Sequence, residues 1–259
     1  MLRIGEADLV AFVGAFLWPL ARVAGLVAVA PVFGNAGIPR STKAAIAIAF
    51  TVALAPLVPP PPGLDPYSGA GLAILAAQML IGTAMGLAMR FVFTAVDVAG
   101  ELAGLQMGLG FATFFDPQNA TQTPVVAQMM GLLATLTFLA INGHLMMLQA
   151  LADSFASVPV AAGLAAGRGA WLELARMGSA IFVTGLMLAL PVVVALLMTN
   201  VALGILTRAA PQLNIFAVGF PLTILVGWAV LGLALPHAAP LLVQAFGEGL
   251  KAMLLPLTP

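Results

Sequence analysis

Asp97 and Glu101 stand one helical turn apart in a long apolar region, and Arg90 falls two turns before Asp97 on roughly the same face. A carboxylate pair within a membrane can relay protons, and the same polar stripe can equally balance a partner's arginines near the interface. Arg22 interrupts the first apolar stretch. At a bilayer centre it would cost about 2.5 to 3.5 kcal/mol, so it requires a carboxylate, backbone carbonyls or water. The two imidazoles, His144 and His237, lie far apart, with no His-x-x-x-His or Glu-x-x-His spacing, so no metal site is expected. Asn142-Gly143-His144 reads as a polar patch on a helix, with His144 packed and hydrogen-bonded. There is no Gly-x-Ser-x-Gly elbow, no phosphate-binding glycine loop ending in Lys-Ser or Lys-Thr, and no cysteine. The expectation is a protein that is not an enzyme and takes no cofactor.

The elements that position these groups follow from composition. Of 259 residues, 62% are hydrophobic and 7% charged, against roughly 25% charged in a soluble domain. Charge-free runs at 44–64, 66–89, 117–152, 177–207 and 209–247 each exceed the ~20 residues that cross a bilayer. Period-2 patterning is absent, which argues against a barrel and for an all-α, polytopic membrane fold. About six long helices are expected, near 9–30, 41–58, 70–95, 126–150, 178–206 and 213–235, with a short tail helix near 238–254. The third continues past its nominal span to about Gly110. One domain is expected over 1–259, with a divergent tail from about 237.

Ala28-Val29-Ala30 resembles a cleavage site, but Arg22 before it and Pro31 after it favour a retained first helix. The connection 31–39 carries glycines suited to unusual backbone angles, and Pro59 to Pro62 form a stiff, extended spacer. Six alternating spans would place Arg3, Arg168, Arg176 and Lys251 on one side and Arg40, Lys43, Arg90 and Arg208 on the other, a tie under the positive-inside rule. Either a helix is miscounted or the chain does not cross the bilayer as independent spans. No Lys/Arg cluster suits nucleic acid.

The segment 108–124 is unlike a lipid-facing turn. Phe111, Phe114 and Phe115 precede the turn signal Asp116-Pro117, and Gln118, Asn119, Thr121, Gln122 and Thr123 supply uncharged hydrogen-bonding groups up to Pro124. Irregular backbone at membrane depth persists only where protein or a water-filled cavity satisfies it, which suggests a plug in a pathway; the alternative is a surface loop with hydrophobic anchors. Met107, Met129 and Met130 flank the segment and suit a pliable gasket, or simple gap-filling. Gly82 and Gly86, then Gly100, Gly104 and Gly108, recur at four-residue spacing, which permits close helix packing against the chain's own helix or a neighbouring subunit. Leu in place of Gly104 is expected to disturb that packing.

Four stretches together resemble the FliR family of flagellar type III export-gate proteins: 22–34 continuing to Ile38-Pro39-Arg40; 100–117 with Gln122-Thr-Pro-Val125; Leu139-Ala-Ile-Asn-Gly-His-Leu145; and 211–221. The similarity runs in order from about Phe16 to Pro236. It implies one copy of this chain in a helical gate with FliP-like and FliQ-like subunits, beside FlhB-like and FlhA-like components, in the bacterial inner membrane at the flagellar basal body. The complex would pass unfolded flagellar proteins. Hairpins in that family wind into a tapered pore, with parts of apparent spans lifted out of the lipid. By position, Phe111, Phe114, Phe115, Asp116, Pro117, Gln122 and Pro124 resemble the family's plug loop, and Arg208, Pro211, Gln212 and Asn214 the turn of its last long hairpin. A gate subunit of a related injectisome is the near alternative. A secondary transporter using Arg22, Asp97 and Glu101 is the distant one, and a passive membrane scaffold is a third.

Overall fold

The computed structural model describes residues 6–58, 66–111, 124–160, 168–212 and 214–254, and among them there is helix and turn but no strand. The helices are α1 (Glu6–Val29), α2 (Arg40–Leu54), α3 (Gly69–Gln106), α4 (Val125–Ala140), α5 (Gly143–Ser157), α6 (Arg168–Ala209) and α7 (Ile215–Ala252). Short 3-10 turns follow α2 at Ala55–Leu57 and α3 at Leu109–Phe111. Among the described residues, four helical stretches are long and apolar enough to cross a membrane, the pair Val125–Ala140 and Gly143–Ser157, bent by 66°, would as one broken span make a fifth, and the four are Arg40–Leu57, Gly69–Gln106, Leu174–Ala209 and Ala217–Ala252. At ~1.5 Å per residue, the last three are roughly 54 to 57 Å long, well beyond the ~30 Å of a bilayer core.

Three expectations are corrected. The helix expected over 126–150 is two helices, because Asn142 takes a left-handed conformation (φ 58°) that ends the α4 ladder. Asparagine tolerates that region, and Gly143 opens α5 behind it. The tail helix is not separate: α7 continues through Pro221, Pro236 and Pro240 to Ala252. Proline removes one backbone donor, a loss that apolar membrane-type helices accommodate by local adjustment. In the connection 31–39, the positive φ falls on Val32 (70°), while Gly34 serves close approach: a Cβ there would lie 2.7 Å from the Ala30 carbonyl oxygen.

The chain divides into two compact units. The first comprises Met1–Phe91, Asn142–Gly178 and Gly247–Pro259. Here α1 and α3 meet backbone to backbone. A Cβ on Gly82 would collide with the Arg22 carbonyl and one on Gly25 with the Met79 carbonyl, while one on Gly86 would lie 3.0 Å from the Leu26 carbonyl oxygen. Small residues at helix contacts replace the hydrophobic drive that lipid removes. Val23, Leu26, Val27, Ile81, Met85 and Met89 fill the surrounding core.

The second unit comprises Val92–Ile141 and Ser179–Phe246. Its core holds Phe93, Phe138 and Phe246 with ring centroids 5.3 to 5.6 Å apart in edge and tilted arrangements, geometries favoured by the ring quadrupoles. Gly100 packs on the backbone of Ala127 in α4, and Gly185 of α6 lies against the Ala95 carbonyl, 2.9 Å from an added Cβ.

Candidate functional site

The loop singled out by the sequence leaves α3 in the second unit, and its stem is held by a cap and by one face of α7. At the end of α3 the Met107 N–H donates to the Ala103 carbonyl (3.0 Å) and the Gly108 N–H to the Leu105 carbonyl (3.0 Å). Gly108 has φ 84°, the left-handed C-terminal cap in which glycine is unstrained. A Cβ at Gly108 would also lie 2.9 Å from the Phe220 ring. Met107 is wholly buried and packs over Gly227, where an added Cβ would come within 2.5 Å of its Cγ. Between these contacts the Thr223 hydroxyl lies 3.1 Å from the Met107 carbonyl oxygen and 3.1 Å from that of Phe220.

Of the expected plug residues, Phe111 closes the 3-10 turn after α3, and Pro124 is exposed at the start of α4. Phe114, Phe115, Asp116, Pro117 and Gln122 lie outside the described residues. Met107 and Met130 are buried within the unit, whereas Met129 keeps part of its surface free. Gly100 makes the tight contact of the glycine series, while a Cβ on Gly104 would sit at an ordinary 3.7 Å from Val126.

At the other turn, Arg208 is exposed in the last turn of α6, where a cation complements the helix dipole. Pro211, Gln212 and Asn214 are exposed, and the Asn214 carbonyl accepts from Ala217 N–H (3.0 Å) and Val218 N–H (3.2 Å) to open α7. Asp97 and Glu101 are exposed on α3.

Among the described residues, no carboxylate accepts a hydrogen bond from Arg22. Wholly buried in the first unit, it donates from Nε to Gln78 Oε1 (2.7 Å), from one terminal nitrogen to Ser154 O (2.8 Å) and Oγ (3.0 Å), and from the other to Val158 O (2.8 Å). Its guanidinium also stands 4.1 Å from the Phe155 ring centroid. These carbonyls belong to the C-terminal end of α5, whose negative dipole end suits a cation. Gln78 is engaged at both ends of its amide, its Nε2 donating to the Val160 carbonyl at 3.4 Å. His144 departs from expectation: its Nδ1 is buried with no hydrogen-bond partner among the described residues, and the adjacent Asn142 is exposed.

Sequence reasoning missed Gln78, Ser154, Phe220, Thr223 and Gly227. A lone amide or hydroxyl inside an apolar run is the signal that marks Gln78 and Thr223. The residues 220, 223 and 227 also share one helical face.

A helical, membrane-embedded chain with a capped loop stem is the class defined by these features. Residues 13–249 match the model of bacterial export proteins, family 1. The chain is 46% identical over 249 residues to the flagellar biosynthetic protein FliR of Pectobacterium carotovorum subsp. carotovorum, covering 96% of this chain and 94% of that one. It is 42% identical over 248 residues to FliR of Escherichia coli strain K12, with 96% and 94% covered. FliR of Bacillus subtilis strain 168 is 30% identical over 220 residues, covering 84% of each. The chain belongs to the FliR family of bacterial export proteins.

Proposed function

We propose that this subunit of the flagellar export apparatus helps form the pore that passes unfolded flagellar proteins and plugs it with the segment from Phe111 to Pro124. The observation that carries the reading is the stem: a loop rich in phenylalanine leaves a helix end fixed by a glycine cap, a buried methionine and a hydroxyl from α7. Aromatic rings at a constriction exclude ions by steric closure and dewetting. Met129, which keeps part of its surface free, would add a pliable seal, and Met107 and Met130 are buried within the same unit. The turn at Arg208, Pro211, Gln212 and Asn214 would form a second constriction where the last hairpin reverses. FliP-like and FliQ-like subunits, with FlhB-like and FlhA-like components, would complete the gate in the bacterial inner membrane. The chain contributes structure rather than catalysis.

The test is deletion of residues 111–122 in assembled gates, read as ion or small-solute flux across sealed membranes. Assembly should persist and leak should rise; assembled gates that stay as tight as the wild type would sink the plug and favour a passive scaffold.

A further inference from the structure

We infer that Thr223 is a positioning residue for this loop, its hydroxyl latching the stem through the Met107 carbonyl; the inference rests on the plug reading. Met107 immediately follows α3, and a carbonyl at a helix end has no helical N–H to satisfy it. Met107 is wholly buried and Thr223 is 7% exposed, so water is a poor substitute for the hydroxyl. Around that bond α7 presents a single face. Phe220, Thr223 and Gly227 fall at successive turns and meet, in order, the Gly108 backbone, the Met107 carbonyl and the Met107 side chain.

The hydroxyl has a single hydrogen and two acceptors at the same 3.1 Å, the stem carbonyl and the Phe220 carbonyl of its own helix. A threonine bonded back to its own helix is a common resting arrangement. When the stem leaves, Thr223 therefore keeps a partner and the Met107 carbonyl becomes free to meet water. Release leaves no donor stranded, which is what distinguishes a latch from a permanent core bond. Gly108, already left-handed at φ 84°, supplies a pivot with the fewest steric limits.

The experiment compares the full chain with T223V, which keeps the shape and removes the hydroxyl, and T223S, which keeps the hydroxyl. In assembled gates, hydrogen exchange is followed at the Met107 and Gly108 amides, and leak is measured in sealed vesicles beside the loop deletion. T223V should speed exchange at both amides about fivefold, the size expected for one net hydrogen bond, and T223S should not. Leak should rise in T223V towards that of the loop deletion. Unchanged exchange in T223V overturns the latch. So does faster exchange with a wild-type leak where the loop deletion itself leaks. A loop deletion that does not leak fails the plug reading instead, and the exchange result still decides whether Thr223 holds the stem. Should T223V not assemble, T223A removes the same hydroxyl with a smaller side chain and should quicken the same amides; no change there also overturns the inference.

Discussion

The two compact units use the same device, glycine at helix contacts, to different degrees. Where α1 meets α3 in the first unit, glycines stand on both helices, and the carbonyls of Arg22 and Met79 occupy the space of the absent side chains. Where α3 meets α4 in the second, Gly100 touches the Ala127 backbone while Gly104, one turn on, retains ordinary clearance from Val126. Equal spacing in sequence therefore does not mean equal tightness. The opposing helix decides, because a facing carbonyl or Cα leaves no room for a methyl and a facing side chain does. Polar anchoring differs as well. The first unit buries a guanidinium against neutral acceptors, whereas the second holds its critical helix end with a glycine cap and one hydroxyl.

The comparison breaks most directly at Arg22. Arg22→Ala leaves Gln78 Oε1 and the Val158 carbonyl buried without their donor, while the Ser154 carbonyl keeps only the Val158 N–H (3.0 Å), and should destabilise the first unit by about 2 to 6 kcal/mol. Thermal unfolding of the detergent-purified chain measures this, and a Tm close to wild type would mean that the node is not what pins α5 to α1 and α3. Gly82→Ala comes next. Its methyl must displace the backbone of α1, at about 1 to 3 kcal/mol or more, visible as lost yield of monodisperse protein. The finest test pairs two neighbours: Gly100→Ala should fall in that same range of about 1 to 3 kcal/mol, whereas Gly104→Ala should stay within about 0.5 kcal/mol. Equal losses at the two positions would contradict the difference in clearance. A leucine at Gly104 is harsher than alanine, since only its first carbon fits before Val126 must move.

Thr223 and Arg22 show how far the sequence can be read. Arg22 was legible as a problem, because a charge in an apolar helix demands partners, but Gln78, Ser154 and Val158 lie far from it in the chain and no spacing rule connects them. Thr223 sat unremarked in an apolar run, and its importance emerged only with Met107 beside it. The glycine at position 108 was legible as a packing residue, yet its role as a left-handed cap is a property of the backbone it terminates. Conversely, the break at Asn142 was masked by a continuous apolar pattern, since hydrophobic runs record burial and not the dihedral at one residue.

By itself the sequence determined an all-α membrane protein, the approximate places of its long helices, the unusual loop, and membership in an export family, because apolar length and ordered local motifs survive in one dimension. Only the tertiary structure decided which glycines are tight, which acceptors receive the buried guanidinium, and which face of α7 grips the loop's stem. Those outcomes depend on the atoms that distant segments bring within a few ångströms, and apolar residues facing lipid, core or a neighbouring subunit look alike until that happens.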